Sequence, residues 1–430
     1  MFMKIHFIGI GGIGVSALAQ YYLALGYTVS GSDLATSEIT NFLKKKGVAI
    51  TLGNAEKNIQ KDMDLVVYSP AVPSSNPELK RAKVLKIITK SYPGALGQLS
   101  KEYITIAIAG SHGKSTTTAL VSLILIAAKL DPTVIIGTKL REFKNSNFRK
   151  GKSKYLVIEA CEYDGSFLNY EPDIIVVTNV DKEHMDYFKT FSNTLRVFRS
   201  FIMKLPKNGF LVINKDDKNT SKLNIKNPRF NVQNYSKNQK EANKLQKILK
   251  IPGSHNVSNA LAALAVARII GVKDTISFRA LSSYQGSWRR FEIIKNKPYT
   301  VISDYGHHPN EVSATVKAAK EKYINRKIWL FFQPHQYQRT YYLFEDFVKI
   351  FRSMGIDQTI ITDIYDVAGR EENRINQKIN SKKLVEAINR KNVYYLPMKE
   401  AKTFIKKNIK PKDVLLVMGA GDIYKLNKKF

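Results

Sequence analysis

The sequence predicts an α/β protein of three domains, each built on a mainly parallel sheet. Three observations carry that reading. Strand-like and helix-like patterns alternate along the whole chain, as they do where helices connect parallel strands. Two glycine-rich loops, at residues 9–14 and 110–113, each follow a short apolar run and open a helix-like stretch. A length of 430 residues with 44% hydrophobic content is long for one core and suits two or three.

Residues 1–100 are expected to form a Rossmann-like first domain. KIHFIGI reads as a strand, GGIGVSALAQYYLALG as loop and helix, and YTVSGSD as a second strand. DLVVYSPAVP repeats the theme with an apolar strand and a Ser-Pro-rich loop. Residues 101–291 are expected to form a central α/β domain of P-loop type. It opens with ITIAIAG and contains the strands YLVIEA and DIIVVTN. Its segment 206–250, rich in Asn and Lys, is read as peripheral loops and short elements. Residues 292–430 form a second Rossmann-like domain with strands TVISD, KIWLFF, QTIITD and DVLLVMG. Polar clusters follow the strands, at the ends where open α/β sheets bind ligands.

Composition narrows the classes. Cys161 is the single cysteine, so no internal disulfide forms and a reducing compartment fits. MFMKIHFIGIGGIGVSALA loosely resembles a secretion signal, but four glycines interrupt it and Lys4 lies within a strand-like alternation. The apolar run 119–128 is too short to span a bilayer and carries Ser122. No membrane insertion and a cytoplasmic location are expected. The 68 basic and 36 acidic residues give +32. The lysines are spread along the chain, with no arginine-rich tract, so a lysine- and asparagine-rich composition explains the charge and no nucleic-acid partner is expected. Such a surface still steers polyphosphates toward it.

GSHGKSTTT, residues 110–118, fails the spacing G-x-x-x-x-G-K-[ST], because the first glycine position falls at Ile108. It keeps the strand–loop–helix order that the chemistry needs. Backbone N–H groups and the helix N-terminus cradle phosphate oxygens. Lys114 reaches the β/γ-phosphates and Ser115 can ligate Mg²⁺. Gly110, Ser111, His112, Gly113, Lys114, Ser115 and Thr116 are the expected ATP loop. Glu159 closes the strand YLVIEA, where a carboxylate suits Mg²⁺. His184 lies just beyond a strand, in VTNVDKEHMDYF. Taken alone it reads as a capping or core histidine; beside an ATP loop it could ligate a second metal or orient a phosphate. Of seven histidines, only His6 lies within a strand pattern.

GIGGIG fits G-x-G-x-x-G as Gly9, Gly11 and Gly14, with Asp33 ending the second strand about 20 residues on. Taken alone that is the dinucleotide fingerprint. The physics it certifies is narrower: a tight turn offering N–H groups to a diphosphate.

Together the motifs resemble the Mur ligases, the ATP-dependent amide-forming enzymes of peptidoglycan precursor synthesis. IHFIGIGGIGVSALA, VSGSD, GSHGKSTTT, EACEYDGSFL, TNVDKEHMDYF, GSHNVSNALAALAVA, WRRFE, DYGHHPNEV, FFQPHQYQRT and GAGDIY carry it, in order over nearly the whole chain. The resemblance implies transfer of the ATP γ-phosphoryl group to the lactyl carboxylate of UDP-N-acetylmuramate. The amine of L-alanine then attacks the acyl phosphate, and a tetrahedral intermediate collapses to amide and phosphate. It implies ATP and Mg²⁺ as cofactors and Lys114, Glu159 and His184 as the catalytic set, with Ser115, Glu159 and His184 at the metals. His255, Asn256 and Asn259 would line the adenine pocket, with Arg290 reaching phosphate from the domain boundary and Asp304 contacting the ATP ribose or phosphates from the third domain. Gly11, Gly12, Ile13, Gly14, Asp33 and Ser69 would hold the UDP-sugar. Tyr305, His308 and Arg339 would shape the amino-acid site, with Arg339 pairing the alanine carboxylate. The chain departs from the family at Gln336, where many members carry arginine, at Gly306, at Gly53-Asn54 and at Gly137-Thr138-Lys139. Three alternatives stay open at this stage: the family's murein tripeptide recycling ligase, an NAD-dependent oxidoreductase and a nucleic-acid binder. A monomer or homodimer is expected.

Overall fold

The first five strands are β1 (Lys4–Ile8), β2 (Thr28–Asp33), β3 (Ala49–Leu52), β4 (Leu65–Tyr68) and β5 (Ile88–Ser91). In the computed structural model, which describes residues 3–226, 228–366 and 373–430, they form one parallel sheet in the order β3-β2-β1-β4-β5. That is the Rossmann order, and its direction reverses between β1 and β4. The glycine loop leaves β1 and Ser69 follows β4, so both sit at that switch point. Ile5, Phe7, Val66 and Val67 are at most 1% exposed, as expected of strands covered on both faces.

The second sheet comprises β6 (Ile104–Ala109), β7 (Thr133–Leu140), β8 (Ser146–Arg149), β9 (Tyr155–Glu159), β10 (Ile174–Val177), β11 (Phe210–Asn214) and β12 (Asn231–Tyr235). Its order is β12-β11-β10-β6-β9-β7-β8, with only the β7–β8 hairpin antiparallel. β6 is central, flanked by β9 and β10. The segment 206–250 is more regular than its composition predicts: it supplies β11, β12 and the helix Glu241–Ile248. β12 reads NVQNY and exposes four of its five residues, a polar edge strand of the kind that resists pairing with other chains. Its polarity hides it from an apolar pattern.

The third sheet comprises β13 (Glu292–Lys295), β14 (Thr300–Asp304), β15 (Ile328–Phe332), β16 (Gln358–Ile361), β17 (Val393–Tyr395) and β18 (Val414–Met418). The order is β13-β14-β18-β15-β16-β17, and only β13 runs antiparallel to its neighbour. Ile302, Leu330 and Leu416 pack into one apolar cluster, and Val301, Phe331 and Leu415 into another. Successive residues thus fill opposite faces of the sheet.

By packing, the chain divides into two compact units. One contains Met1–Asp181, Thr194–Gln239 and Asn259–Leu281; the other contains Lys182–Asn193, Lys240–Ser258 and Ser282–Phe430. The first two sheets therefore belong to one unit. Within it the helix Ile13–Ala24 packs on the β7–β8 hairpin, with the Tyr21 and Phe148 rings edge to face at 6.2 Å. No helix among the described residues is long and apolar enough to cross a membrane.

Candidate active site

The lysine loop is fastened to the end of β10. Thr178 Oγ1 and Asn179 Nδ2 both donate to the His112 carbonyl, at 2.6 and 2.9 Å. The Asn179 Oδ1 accepts from the His112 amide at 2.9 Å. The Asp181 amide donates to Ser111 Oγ at 2.8 Å, and the Asp181 carboxylate lies 3.0 Å from His112 Nε2. Gly110 and Gly113 take φ of +128° and +84°, a region that only glycine enters without strain. A Cβ on Gly110 would also overlap Thr178 Oγ1. Gly113 caps the helix Lys114–Ala127 with no side-chain hydrogen bond, and a helix start of this kind presents its first-turn N–H groups to an anion.

Lys114 donates to the carbonyls of Gly110 and Ser111, at 2.6 and 3.1 Å, and to Glu162 Oε2 at 2.9 Å. Burial disfavours its charge, but Glu162 outweighs burial and holds the ammonium above the ordinary lysine range. Ser115 Oγ donates to Glu159 Oε1 at 3.1 Å. Glu159 Oε2 accepts from the Gly137 amide at 2.8 Å, and a Cβ on Gly137 would stand 2.7 Å from that oxygen. Ser115, Glu159 and Lys114 are thus brought together at the C-terminal ends of β6 and β9. Asn259 points its amide at Gly113, whose Cβ would meet the Oδ1. Sequence reasoning missed Glu162, Gly137 and Asp181. The first lies three residues beyond Glu159 in the quoted EACEYDGSFL, the one signal that could have found it.

In the glycine loop, the Gly9 and Ile10 amides donate to the Ser32 carbonyl. The Gly11 amide donates to Asp33 Oδ2 at 2.7 Å, so Asp33 positions the loop directly. A Cβ on Gly11 would meet that carboxylate, and one on Gly14 would meet the Tyr92 ring. Ser69 lies beneath Gly9. Gly12 caps the helix Ile13–Ala24, again with no side chain. A cavity of about 340 Å³ opens beside it, lined among others by Ile13, Glu38, Phe42, Lys139 and Asn147. That is the size of a small-molecule site.

The remaining candidates lie in the other compact unit. Arg339 donates from Nε and Nη2 to the two Glu183 oxygens, both at 3.3 Å, and from Nη1 to the His335 carbonyl at 3.1 Å and to Gln336 Oε1 at 3.3 Å. Burial opposes the Glu183 charge, yet Arg339 and then His184 hold its carboxyl well below the usual range. His184 Nε2 is 3.8 Å from Glu183, and His184 takes φ of +55°. Burial, reinforced by Arg339, lowers His307 to about 4. Tyr305 lies under the guanidinium groups of Arg289 and Arg290. His308 caps the helix Pro309–Lys322 through Nδ1. Asp304, ending β14, accepts from the Phe291 and Gly306 amides at 2.8 Å, and burial pushes its carboxyl up. His255 sits against Gly253, and Asn256 donates to the Pro252 carbonyl at 2.6 Å.

Three segments match known families. Residues 4–104 match the Mur ligase family, catalytic domain; residues 108–267 match the Mur ligase middle domain; residues 289–421 match the Mur ligase, glutamate ligase domain. The chain is 42% identical over 456 residues to the UDP-N-acetylmuramate--L-alanine ligase of Acetivibrio thermocellus, covering 100% of this chain and 96% of the relative. It is 39% identical to the protein of the same name from Clostridium perfringens, covering 99% and 97%. Among solved structures, the UDP-N-acetylmuramate-alanine ligase MurC of Thermotoga maritima superposes with a TM-score of 0.81 at 28% identity, covering 100% of this chain and 98% of that one. The murein peptide ligase of Psychrobacter arcticus shares the fold, with a TM-score of 0.74 at 23% identity over 99% and 98%.

Proposed function

The chain belongs to the Mur ligase family, and from that premise we propose that it joins L-alanine to the lactyl carboxylate of UDP-N-acetylmuramate. The products are UDP-N-acetylmuramoyl-L-alanine, ADP and phosphate. The observation that carries the reading is the lysine loop, with the Lys114 ammonium held by Glu162 beside the Ser115–Glu159 pair. The full-length relatives that bear the alanine ligase name support it over the tripeptide-recycling alternative. Family membership likewise favours a UDP-sugar over NAD at the glycine loop.

A carboxylate is a poor acylating agent at neutral pH, and phosphorylation supplies the leaving group. Catalysis of that transfer is mostly positioning and charge neutralisation. Lys114 stays protonated and binds the transferring phosphoryl group. The loop amides and the helix start at Gly113 bind the other phosphate oxygens. The Ser115–Glu159 pair offers only oxygen donors, with the bare Gly137 giving room for the carboxylate, and that set suits Mg²⁺. Ser115 and Glu159 would hold it, with His184 the candidate for a second ion; bound there, Mg²⁺ offsets phosphate charge. His255, Asn256 and Asn259 serve the adenine, and Arg290 and Asp304 the ribose or phosphates. Gly11, Gly12, Ile13, Gly14, Asp33 and Ser69 cradle the UDP-sugar. Tyr305, His308 and Arg339 form the amino-acid site; Arg339 already pairs with a carboxylate in the free protein, which is the contact an amino acid's carboxylate needs. In domain terms, residues 1–100 bind the UDP-sugar, 101–291 bind ATP and 292–430 bind the amino acid. The single cysteine favours a cytoplasmic reaction. The test is substrate omission: phosphate release from ATP requires both UDP-N-acetylmuramate and L-alanine, and release indifferent to either would refute the ligase.

A further inference from the structure

One cluster of buried polar groups is left unused by this mechanism. Gln20 is 3% exposed and Asn147 4%. Gln20 lies on the helix Ile13–Ala24 beside the first sheet, and Asn147 on β8 of the second. Gln20 Nε2 donates to Asn147 Oδ1 at 2.7 Å and to the Ser16 carbonyl at 3.2 Å. Gln20 Oε1 accepts from Ser146 Oγ at 2.9 Å and from Lys46 Nζ at 3.0 Å. Asn147 Nδ2 donates to Ser16 Oγ at 2.9 Å and to the Ile13 carbonyl. Every N–H of both amides is used and each carbonyl oxygen accepts, so their oxygen and nitrogen orientations are fixed by their partners.

Where the bonds land matters more than their number. An interface needing only adhesion would be served by apolar packing, which Tyr21 and Phe148 already supply. Asn147 instead grips the first turn of the helix, at the residue immediately after the Gly12 cap. Lys46 follows the helix Glu38–Lys45, so the same cluster ties in the element that carries Glu38 and Phe42. Ile13, Glu38, Phe42 and Asn147 all line the 340 Å³ cavity beside the glycine loop. The cluster therefore joins the very elements that wall this cavity.

We propose that Asn147 is a positioning residue for the UDP-sugar site, fixing the glycine-loop end of the helix Ile13–Ala24 against the β7–β8 hairpin. The inference rests on the reading of the glycine loop as the UDP-sugar cradle. It makes the second sheet a contributor to nucleotide-sugar affinity through a side chain that need not touch the nucleotide. The ATP loop lies at the end of β6, whereas the cluster's hydrogen bonds run to the helix Ile13–Ala24, to Ser146 and to Lys46.

Asn147→Asp keeps the size and the acceptor for Gln20 but loses both donors, and sets an anion against the Ile13 carbonyl. Steady-state kinetics should show the KM for UDP-N-acetylmuramate raised about tenfold, with the KM for ATP within about twofold. Calorimetric titration of UDP-N-acetylmuramate without ATP should show the same weakening. Ser16→Ala removes one acceptor of the Asn147 amide with little cost to the helix, and should shift the same affinity in the same direction by less. It carries the test if the aspartate variant does not fold. Equal rises in both KM values, or a lowered melting temperature with UDP-sugar affinity unchanged, overturn the inference. Failure of the unaltered protein to bind UDP-N-acetylmuramate overturns the ligase reading itself, a distinguishable result.

Discussion

Lys114 is held in advance: two carbonyls and Glu162 fix its ammonium group before any nucleotide arrives. Lys114→Ala should cut turnover by about 100-fold or more, the loss typical of removing one transition-state donor. UDP-N-acetylmuramate binding, measured by calorimetry, should persist; loss of both affinities would contradict separate nucleotide sites. Glu159→Gln should raise the Mg²⁺ concentration needed for half-maximal rate, and an unchanged metal dependence would remove it from the metal site. His307 gives a stability test. Its folded pKa of about 4 lies below the ordinary 6.5, so between those values the unfolded chain takes up a proton that the folded one refuses. Stability should fall as pH drops through that window, by up to about 3 kcal/mol. The Glu183 contribution is lost only lower, below the usual carboxylate range. In His307→Gln, urea unfolding should depend less on pH from 6.5 to 4; an unchanged slope would contradict the assignment. Lys114, Ser115 and Glu159 were legible because each ends a strand or opens a helix inside a recognisable motif. Glu162, Gly137 and Glu183 were not. Their roles arise where two backbone segments approach, and spacing along the chain does not encode that approach.

At the scale of elements, glycines mark the places where backbones nearly touch. The helix Tyr92–Ser100 carries Gly97 against the Asn169 carbonyl, which a Cβ would overlap. Alanine is the better helix former by about 1 kcal/mol, so local propensity predicts that Gly97→Ala stabilises. The overlap reverses the sign: a loss of about 1–3 kcal/mol is expected, read as a lowered thermal midpoint. A raised midpoint would mean that the helix simply shifts away. Most strands were legible from apolar runs, because parallel strands bury both faces. β12 was not, since Asn231, Gln233 and Asn234 give an edge strand the composition of a loop. The strand orders were not legible either. The pairing of β18 between β14 and β15 depends on crossovers whose direction no single segment records.

Across the whole molecule, the +32 charge is expected to reflect composition rather than recognition. Any RNA retained at low salt should be released well before 1 M NaCl, because purely ionic contacts weaken steeply as counterions compete. Retention at that concentration would favour a nucleic-acid site. Three sheets were legible as three blocks, yet the first two fall in one compact unit. Polar side chains that help to join them, Ser16, Gln20, Ser146 and Asn147, look like ordinary polar residues when met separately in the sequence. Their partnership sets a rule for inheritance. A recombinant that takes residues 1–100 from one relative and the remainder from another separates Gln20 from the Asn147 it donates to. Such hybrids should succeed only when both parents carry matching residues at all four positions. In hybrids built from two relatives, the first two sheets should therefore be exchanged as a single piece.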